Sequence, residues 1–363
     1  MRIIGVHNDE DAGVCLLQDG ELVEAVNEER FNRTKLYQGL PTKALRYVLE
    51  KRNLSLQDID YFAYGWHGRR NDFGDYAKRL AARVLAAARS NPSDEVERVV
   101  DERISSEFAR DAATRDEFEA WMLDLEVPSP KVAFLDHHQS HAWSAFACSP
   151  FDQALVFTMD GRGDLKSASV SEGRADVGLV ERYYELSFDS LGFLYGQITH
   201  HLGFRPHRHE GKVTGLAAYG DPAKTRPIFE KLVSWKDGGI RTNPGAYRPF
   251  YTRMDDAISE RLRQHSREDV AAGLQAHCED LVGRFVTEWH RRTGKTEPIP
   301  VCLAGGLFAN VRINQVVAEL PCVDGIFVFP HMGDGGLTVG AACNLQFQLS
   351  GRSKIELPTV LLG

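Results

Sequence analysis

The sequence predicts a two-lobed α/β protein with a cleft between the lobes, and three observations support this fold class. The chain has 363 residues, which is more than one small core usually holds. It opens with short strand-like segments, and its last part alternates strand-like and helical segments as parallel βαβ units do. Its composition, 43% hydrophobic and 26% charged, is that of a globular protein. We therefore expect an N-terminal lobe over residues 1–150 and a C-terminal lobe over 151–363.

The composition argues against two classes of partner. A formal net charge of -8 disfavours nucleic acid, because phosphate backbones are bound by clustered basic surface. The longest apolar runs, such as residues 154–159, have strand length and are too short to span a membrane.

The chain opens directly into a strand-like run, which is not the pattern of a signal peptide. Six scattered cysteines indicate reduced thiols, so we expect a cytoplasmic protein.

The N-terminal lobe is predicted to begin with a β-hairpin. Asp19 and Gly20 favour a type I′ turn, since both central positions of that turn need positive φ. Apolar residues alternate on both sides of this pair, and a segment with helical spacing follows. The predicted elements are strands over residues 16–18 and 21–26, a helix over 41–52 and a strand over 61–66.

Residues 71–125 differ in character and are predicted to form a helical insertion that caps the cleft. They are rich in charged residues and show the spacing of amphipathic helices over 76–88 and 94–118. Asn91 and Pro92 interrupt this pattern, because proline and its preceding residue disfavour a continuous helix. We therefore expect two helices in the insertion.

The remaining chain is predicted to form the second sheet and its covering helices. Ser266 and Asp269 form a capping box before a helix that reaches about Arg292. The predicted strands are residues 131–135, 154–159, 167–170, 179–184, 300–303 and 325–329, and the later helices are 308–318 and 337–347.

The segment from Asp136 to His141 carries a candidate metal motif. In a helix, His137 and His141 lie one turn apart on one face, so both imidazoles can bind one ion. Such a pair is more often part of a surface or of packing, and a metal site needs a carboxylate from elsewhere. The motif alone leaves both interpretations open.

Glycine-rich loops follow three of the predicted strands. Asp160, Gly161 and Gly163 come after one strand, where backbone N–H groups can approach phosphate and an aspartate can bind a metal. Gly305 and Gly306 follow a second strand and precede Asn310 and Asn314, which share one helix face. Asp334 precedes the last helix. Each loop alone fits a β-turn, close helix–sheet packing or an N-cap equally well.

The order of these motifs resembles that of the carbamoyltransferases of natural-product and nodulation-factor pathways. Their larger domain is similar to the tRNA threonylcarbamoyl-transfer and hydrogenase-maturation ATPase domains of the actin and heat-shock-chaperone superfamily. The resemblance therefore implies an actin-like duplicated fold with a nucleotide cleft. The positions that carry it are 9–17 with Asp19 and Gly20, 28–31 with Arg33, His137 and His141, Asp160 and Gly161, 190–192 with Tyr195, Lys212 with 215–220, 304–306 with Asn310, and 333–342.

The resemblance also implies roles for particular residues. The chain would transfer a carbamoyl group from carbamoyl adenylate, which derives from carbamoyl phosphate and ATP with Mg²⁺, to a hydroxyl of a small metabolite. The implied metal is Fe²⁺, with Mn²⁺ or Zn²⁺ as alternatives. Its ligands would be His137, His141, Asp160 and Asp334. The nucleotide would be held by Asp160, Gly161, Gly163, Gly215, Gly305, Gly306, Asn310 and Asn314. The candidate catalytic residues are His7, Glu10, Asp11, Glu210 and Lys212.

Two departures from the family pattern shape these expectations. Relatives often carry a histidine beside the aspartate that matches Asp11, whereas this chain has Glu10, so His7 or Glu10 is the alternative base. The family also continues into a YrdC-like domain that makes carbamoyl adenylate, whereas this sequence stops at Gly363. We therefore expect the transfer half alone, with a YrdC-like protein or a second copy of the chain as a partner.

Two other functions are compatible with the same motifs. One is a different ATPase or kinase on this fold, whose Mg²⁺ would be held by carboxylates and phosphates, so that the histidine pair counts against it. The other is a catalytically silent domain that binds a nucleotide or a partner chain.

Overall fold

The computed structural model describes residues 1–68, 73–87, 109–247 and 256–356. The predicted helix over residues 94–118 lies partly outside these residues, and the predicted break at Asn91 and Pro92 lies wholly outside them.

Two five-stranded sheets form the framework of the described chain. The first has the order β3-β2-β1-β4-β5 and the second the order β12-β11-β6-β7-β8, while β9 and β10 form a separate hairpin. The strands are β1 (Arg2–His7), β2 (Gly13–Gln18), β3 (Glu21–Asn27), β4 (Tyr61–Tyr64), β5 (Val132–Phe134), β6 (Gln153–Gly163), β7 (Lys166–Arg174), β8 (Gly178–Leu186), β9 (Val233–Lys236), β10 (Gly239–Thr242), β11 (Ile299–Ala304) and β12 (Val323–Val328).

Helices follow and cover these sheets. They are α1 (Glu29–Asn32), α2 (Thr42–Lys51), α3 (Phe73–Ala87), α4 (Ala109–Asp124), α5 (His137–Cys148), α6 (Leu191–His201), α7 (Glu210–Ala217), α8 (Arg226–Leu232), α9 (Asp256–Arg263), α10 (Arg267–Arg292), α11 (Val311–Ala318) and α12 (Leu337–Ser350).

Local sequence signals account for most of these elements. Asp19 and Gly20 have φ of 51° and 88°, which confirms the predicted turn between β2 and β3. The Oγ of Ser266 accepts a hydrogen bond from the backbone N–H of Asp269, so α10 begins at the predicted cap. The parallel pairing of β11 with both β6 and β12 confirms the predicted βαβ tail.

Strand β6 is longer than the sequence predicts. The turn was expected directly after Met159, but β6 continues to Gly163, which pairs with Lys166 of β7. The pairing is irregular between Met159 and Gly163, so this stretch is a bulge rather than a free loop. A bulge changes the direction in which side chains point, and here it contains Asp160.

Two helices lie between the sheets and join the halves. Helix α12 packs against β1, β2 and β4 of the first sheet, whereas α5 packs against β6, β7 and β11 of the second. The two helices also pack on each other. A boundary at residue 150 therefore separates two stretches of sequence, but each half supplies a helix that packs on the sheet of the other.

The contact between α5 and α12 is close enough to require a glycine. A Cβ on Gly340 would lie 1.7 Å from the carbonyl oxygen of Ser140. Gly5 of β1 is packed as closely on α12, since a Cβ added there would lie 1.9 Å from the carbonyl oxygen of Thr338. Backbone atoms cannot yield as a flexible side chain can, so these glycines fix how near α12 lies to its neighbours.

The six cysteines are free thiols, as the sequence predicts. In the part of the chain that the structure describes, no helix combines the length and the apolarity that crossing a membrane requires.

We predict that Gly340→Ala lowers the free energy of unfolding by about 1–3 kcal/mol, because the added methyl group forces α5 and α12 apart. Urea denaturation followed by circular dichroism measures the change. Gly196→Ala in α6 is the matched control, since its Cβ meets nothing within 4 Å. The control should gain up to about 1 kcal/mol from helix propensity. Equal midpoints for the two variants would contradict the packing argument.

Candidate metal centre and cleft

The first two candidate ligands lie on the buried helix α5. Asp136 caps this helix, and its Oδ1 accepts a hydrogen bond of 2.8 Å from the backbone N–H of Gln139. His137 and His141 follow one turn apart, and both are 0% exposed. The histidine pair therefore faces the interior rather than solvent.

Asp160 reaches the same place from the β6 bulge. Its Oδ1 accepts a hydrogen bond of 3.0 Å from the backbone N–H of Gly306. Its Oδ2 lies 3.3 Å from Nε2 of His137 and 3.7 Å from Nε2 of His141. One carboxylate oxygen is thus oriented by the backbone, while the other points at both imidazoles.

Asp334 completes the group from the short turn before α12. Its Oδ1 lies 3.3 Å from Nε2 of His141 and 3.8 Å from Nε2 of His137. The four side chains each offer one ligand atom, and these atoms all lie within 4.8 Å of one another. The structure thereby brings together the four predicted ligands from α5, β6 and the start of α12.

The donor set fits a transition metal. Two imidazole nitrogens and two carboxylate oxygens form a mixed N/O set suited to Fe²⁺, Mn²⁺ or Zn²⁺. Both ring nitrogens of His141 are buried and have no partner at hydrogen-bonding geometry among the described residues. Of these two nitrogens, Nε2 faces both aspartates. Because buried polar atoms are almost always satisfied, the lack of a partner for Nε2 is consistent with a metal ion bound there.

Without a cation, the buried groups compensate one another through shifted pKa values, and the two histidines lower the pKa of Asp160 well below its ordinary value. Burial lowers the pKa of His137 to about 4. Burial opposes protonation of His141 as well, but Asp160 and Asp334 raise its pKa to about 9. Burial and the neighbouring charge of Asp160 raise the pKa of Asp334 well above its ordinary value. A divalent cation would offset the two carboxylate charges directly.

His7 lies beside this group, although the sequence suggests it as a base. It is fully buried, and its Nε2 lies 3.1 Å from the carbonyl oxygen of Glu10 and 4.0 Å from Oδ2 of Asp334. Its ring stacks on Trp66, whose edge contacts His137. Burial lowers the pKa of His7 to about 4. His7 therefore forms part of the wall around the candidate ligands.

Glu10 has a partner that the sequence analysis missed. Its Oε2 lies 3.1 Å from Nδ1 of His207, which comes from the loop between α6 and α7. The hydrogen bond to Glu10 raises the pKa of His207 to about 9. In the same loop, Arg208 donates to the carbonyl oxygen of Lys35. These contacts cross from the second half to the first, and the basic run over 205–209 was the only sequence signal for them.

The other three candidate catalytic residues occupy different surroundings. Asp11 has a φ of 61°, and burial raises the pKa of its carboxyl group. Glu210 accepts a hydrogen bond of 2.7 Å from the backbone N–H of His207 and so holds that loop. Lys212 is exposed, with its Nζ 5.9 Å from the ring centroid of Phe204. Glu210 and Lys212 therefore lie with the His207 loop, outside the four-ligand group.

The candidate nucleotide residues divide into open and occupied positions. Gly161 is half-buried, with only the Phe193 ring near its missing Cβ, at 3.8 Å. Gly215 and Gly306 are exposed. Asn310 is engaged within the protein, because its Nδ2 donates to Oε1 of Gln275 at 2.8 Å and its Oδ1 caps α11.

The structure gives packing reasons for three other positions in the nucleotide set. A Cβ on Gly163 would lie 2.1 Å from the His137 ring, so this glycine makes room for a candidate ligand. Gly305 has a φ of 98°, and its Cβ would lie 2.3 Å from the carbonyl oxygen of Met159. Asn314 donates to the carbonyl oxygen of Phe308 at 2.7 Å, which ties down its amide group. Contact of these three residues with a nucleotide stays a prediction.

The helical insertion touches the cleft through α4. Arg110 donates to Oδ1 of Asp9 at 2.7 Å, and Asp111 accepts from Arg162 at 2.7 Å. Asp9 neighbours Glu10, and Arg162 follows the Asp160 and Gly161 pair. Helix α4 thus contacts the loops on both sides of the candidate centre.

Comparisons with known proteins bear on the family and the fold of this chain. Residues 2–343 match the family described as "Carbamoyltransferase N-terminus". The chain is 32% identical over 344 residues to nodulation protein NolNO of Sinorhizobium fredii, covering 93% of this chain and 46% of that protein. It is 33% identical over 238 residues to nodulation protein NolO of Bradyrhizobium diazoefficiens, covering 63% of this chain and 41% of that protein. The chain thus spans about half the length of the curated relatives it matches.

Solved structures bear on the fold. The crystal structure of full-length HypF in its phosphate- and nucleotide-bound form has a TM-score of 0.51 and 11% sequence identity. The match covers 97% of this chain and 47% of HypF. It confirms the predicted duplicated, actin-like α/β fold.

We predict that the wild-type chain binds about one transition-metal ion, and that His137→Ala and His141→Ala each weaken binding at least about 100-fold, more than loss of an outer-shell contact does. Elemental analysis after reconstitution measures the metal content. His138→Asn is the control, because the Nδ1 of His138 bonds to Thr158 and the residue lies outside the ligand group. Full metal retention by the double alanine variant would contradict the ligand assignment.

Proposed function

Because this chain belongs to the carbamoyltransferase family, we propose that it transfers a carbamoyl group from carbamoyl adenylate to the hydroxyl group of a small metabolite. The observation that carries this proposal is the group formed by the buried His137 and His141 and the half-buried Asp160 and Asp334, which lies where the two halves meet. A kinase or ATPase that uses Mg²⁺ alone would have no need of two imidazole ligands.

The bound metal would supply one kind of chemistry. A divalent cation, Fe²⁺ in our proposal and Mn²⁺ or Zn²⁺ as alternatives, offsets phosphate charge and polarises the carbamoyl carbonyl. The backbone N–H of Gly306 donates to one carboxylate oxygen of Asp160 and so orients the other oxygen toward the proposed metal. His7 and Trp66 line the histidine side and exclude water from it.

The transfer step needs a proton acceptor, which we propose to be Glu10. The acceptor hydroxyl oxygen bonds to the carbamoyl carbon, the bond from that carbon to the phosphate oxygen breaks, and AMP leaves. The hydroxyl proton passes to the Glu10 carboxylate. His207 holds this carboxylate from the opposite half, and Asp11 lies next to it in the chain. The buried His7 is the less suitable base, since its Nε2 already faces the Glu10 carbonyl oxygen.

The nucleotide is proposed to bind along the open glycine positions. Gly161 and Gly215 present backbone with open space at the missing Cβ, which suits close approach by phosphate or ribose. Gly306 is exposed beside them, but its N–H is already bonded to Asp160. ATP with Mg²⁺, or carbamoyl adenylate, is the expected ligand. The nucleotide-bound HypF structure, which has the same fold, supports this proposal.

Carbamoyl adenylate would come from carbamoyl phosphate and ATP. We propose that a YrdC-like domain or protein carries out that activation, and that it docks on this chain to shield the reactive mixed anhydride from water. A second copy of the chain is the alternative occupant of such a docking surface. We propose a cytoplasmic location, where both carbamoyl phosphate and ATP are available.

We predict that the chain releases AMP from carbamoyl adenylate in the presence of a hydroxylated acceptor and forms the acceptor carbamate. Mass spectrometry of both products is the measurement. Glu10→Gln should lower the rate about 10²–10⁴-fold, as loss of a general base does. Glu230→Gln, which alters an exposed pair with Arg226, is the control. ADP and a phosphorylated acceptor would instead establish the kinase alternative, and no turnover with any acceptor would favour a silent binding domain.

We predict that Gly215→Leu weakens AMP and ATP binding at least about 10-fold without lowering stability, since leucine favours a helix more than glycine does. A Cβ on Gly215 meets no atom of the described residues within 4 Å, so the added side chain starts in open space that the proposed nucleotide would use. Isothermal calorimetry and a thermal melt measure the two effects. Gly211→Leu in the same helix is the control, since its Cβ is equally open. Unchanged affinity in Gly215→Leu would place the nucleotide elsewhere.

A further inference from the structure

The turn between β6 and β7 contains a half-buried carboxylate that the proposed chemistry does not use. Asp164 lies in this turn with a φ of 46°. Its Oδ2 accepts hydrogen bonds from the backbone N–H of His137 at 2.8 Å and of His67 at 2.9 Å. Its Oδ1 accepts from the backbone N–H of Gly68 at 2.8 Å. One side chain thus binds three backbone donors from two other segments.

We propose that Asp164 is a positioning residue that fixes His137 for metal binding. The inference rests on the proposed metal centre and concerns a residue outside its four ligands. His137 is the first residue of α5, and the first backbone N–H groups of a helix have no partner within the helix. Asp164 satisfies that donor and so determines where α5 begins. Because the candidate ligand is that same first residue, a shift of the helix start moves its imidazole.

The rest of the turn holds the same helix end. The missing Cβ of Gly163 leaves room for the His137 ring, since a side-chain atom there would lie 2.1 Å from it. Nζ of Lys166 lies 3.1 Å from Oδ2 of Asp136, the cap residue of α5. The backbone N–H of His137, its ring and the cap residue Asp136 are therefore each contacted by one residue of the turn or of the adjoining strand ends. Such outer contacts orient metal ligands, and their loss typically costs about 10–100-fold in metal affinity.

Asp164 also connects the candidate centre to the helical insertion. The carbonyl oxygen of His67 accepts a hydrogen bond of 2.6 Å from Arg115 of α4. The N–H of the same residue shares Oδ2 of Asp164 with His137. A continuous chain of hydrogen bonds therefore runs from Arg115 through His67 and Asp164 to His137.

The test is the affinity and spectrum of Co²⁺ bound to Asp164→Asn. Asparagine keeps the size of the side chain, but its NH₂ group must face at least one of the three N–H donors. We expect Co²⁺ affinity to fall about 10–100-fold, with altered d–d absorption bands that report a displaced ligand. Asp176→Asn is the matched control, because Asp176 lies beyond the other end of β7 in an exposed pair with Arg174. The control should keep wild-type affinity and bands.

Folding and coordination are measured separately. Thermal melts without metal show whether each variant is folded. Gly163→Ala is the second variant, because it displaces the His137 ring and leaves the Asp164 carboxylate intact, and we expect the same loss of affinity. Wild-type affinity and bands in Asp164→Asn, with a loss in Gly163→Ala, would overturn the positioning role of Asp164 alone. A wild-type chain that binds no Co²⁺ would overturn the metal centre and this inference with it.

Discussion

Two carboxylates and two imidazoles lie together between the halves of this protein. The electrostatic repulsion between the two carboxylates constrains the structure around them. Asp160 and Asp334 come from different parts of the chain, and neither could be buried near the other without compensation. The imidazoles of His137 and His141, on helix α5 between the two sheets, supply that compensation. Its close packing on α12 at Gly340 keeps all four side chains within reach of one ion.

Much of the fold was predictable because local patterns determine it. The turn at Asp19 and Gly20, the cap at Ser266 and the parallel tail each follow from short-range sequence signals. No short-range signal predicts that each half supplies a helix that packs on the sheet of the other half. The sequence of α12 is apolar on nearly all sides, which indicates burial but not the sheet that it covers.

The candidate site was predictable in part for the same reason. His137 and His141 are four residues apart in the sequence, which predicts a pair on one helix face. Asp160 and Asp334 each stand beside a glycine after a predicted strand. The contact between His207 and Glu10 joins distant segments, and single-sequence patterns do not encode such pairs. Among the described residues, the hydrogen bonds to the Asp164 carboxylate come from backbone N–H groups, so no partner residue type marks it in the sequence. Gly163 and Gly305 looked like phosphate contacts, but close packing already explains them.

The place of α12 in the chain affects how the protein is made. The first sheet is complete once β5 has been synthesised, yet the helix that covers β1, β2 and β4 comes almost at the end of the described chain. Contacts between such distant segments form slowly, because a long loop must close first. During synthesis the apolar face of that sheet stays exposed until α12 emerges from the ribosome, and an exposed sheet face of this kind favours association with chaperones or with other nascent chains.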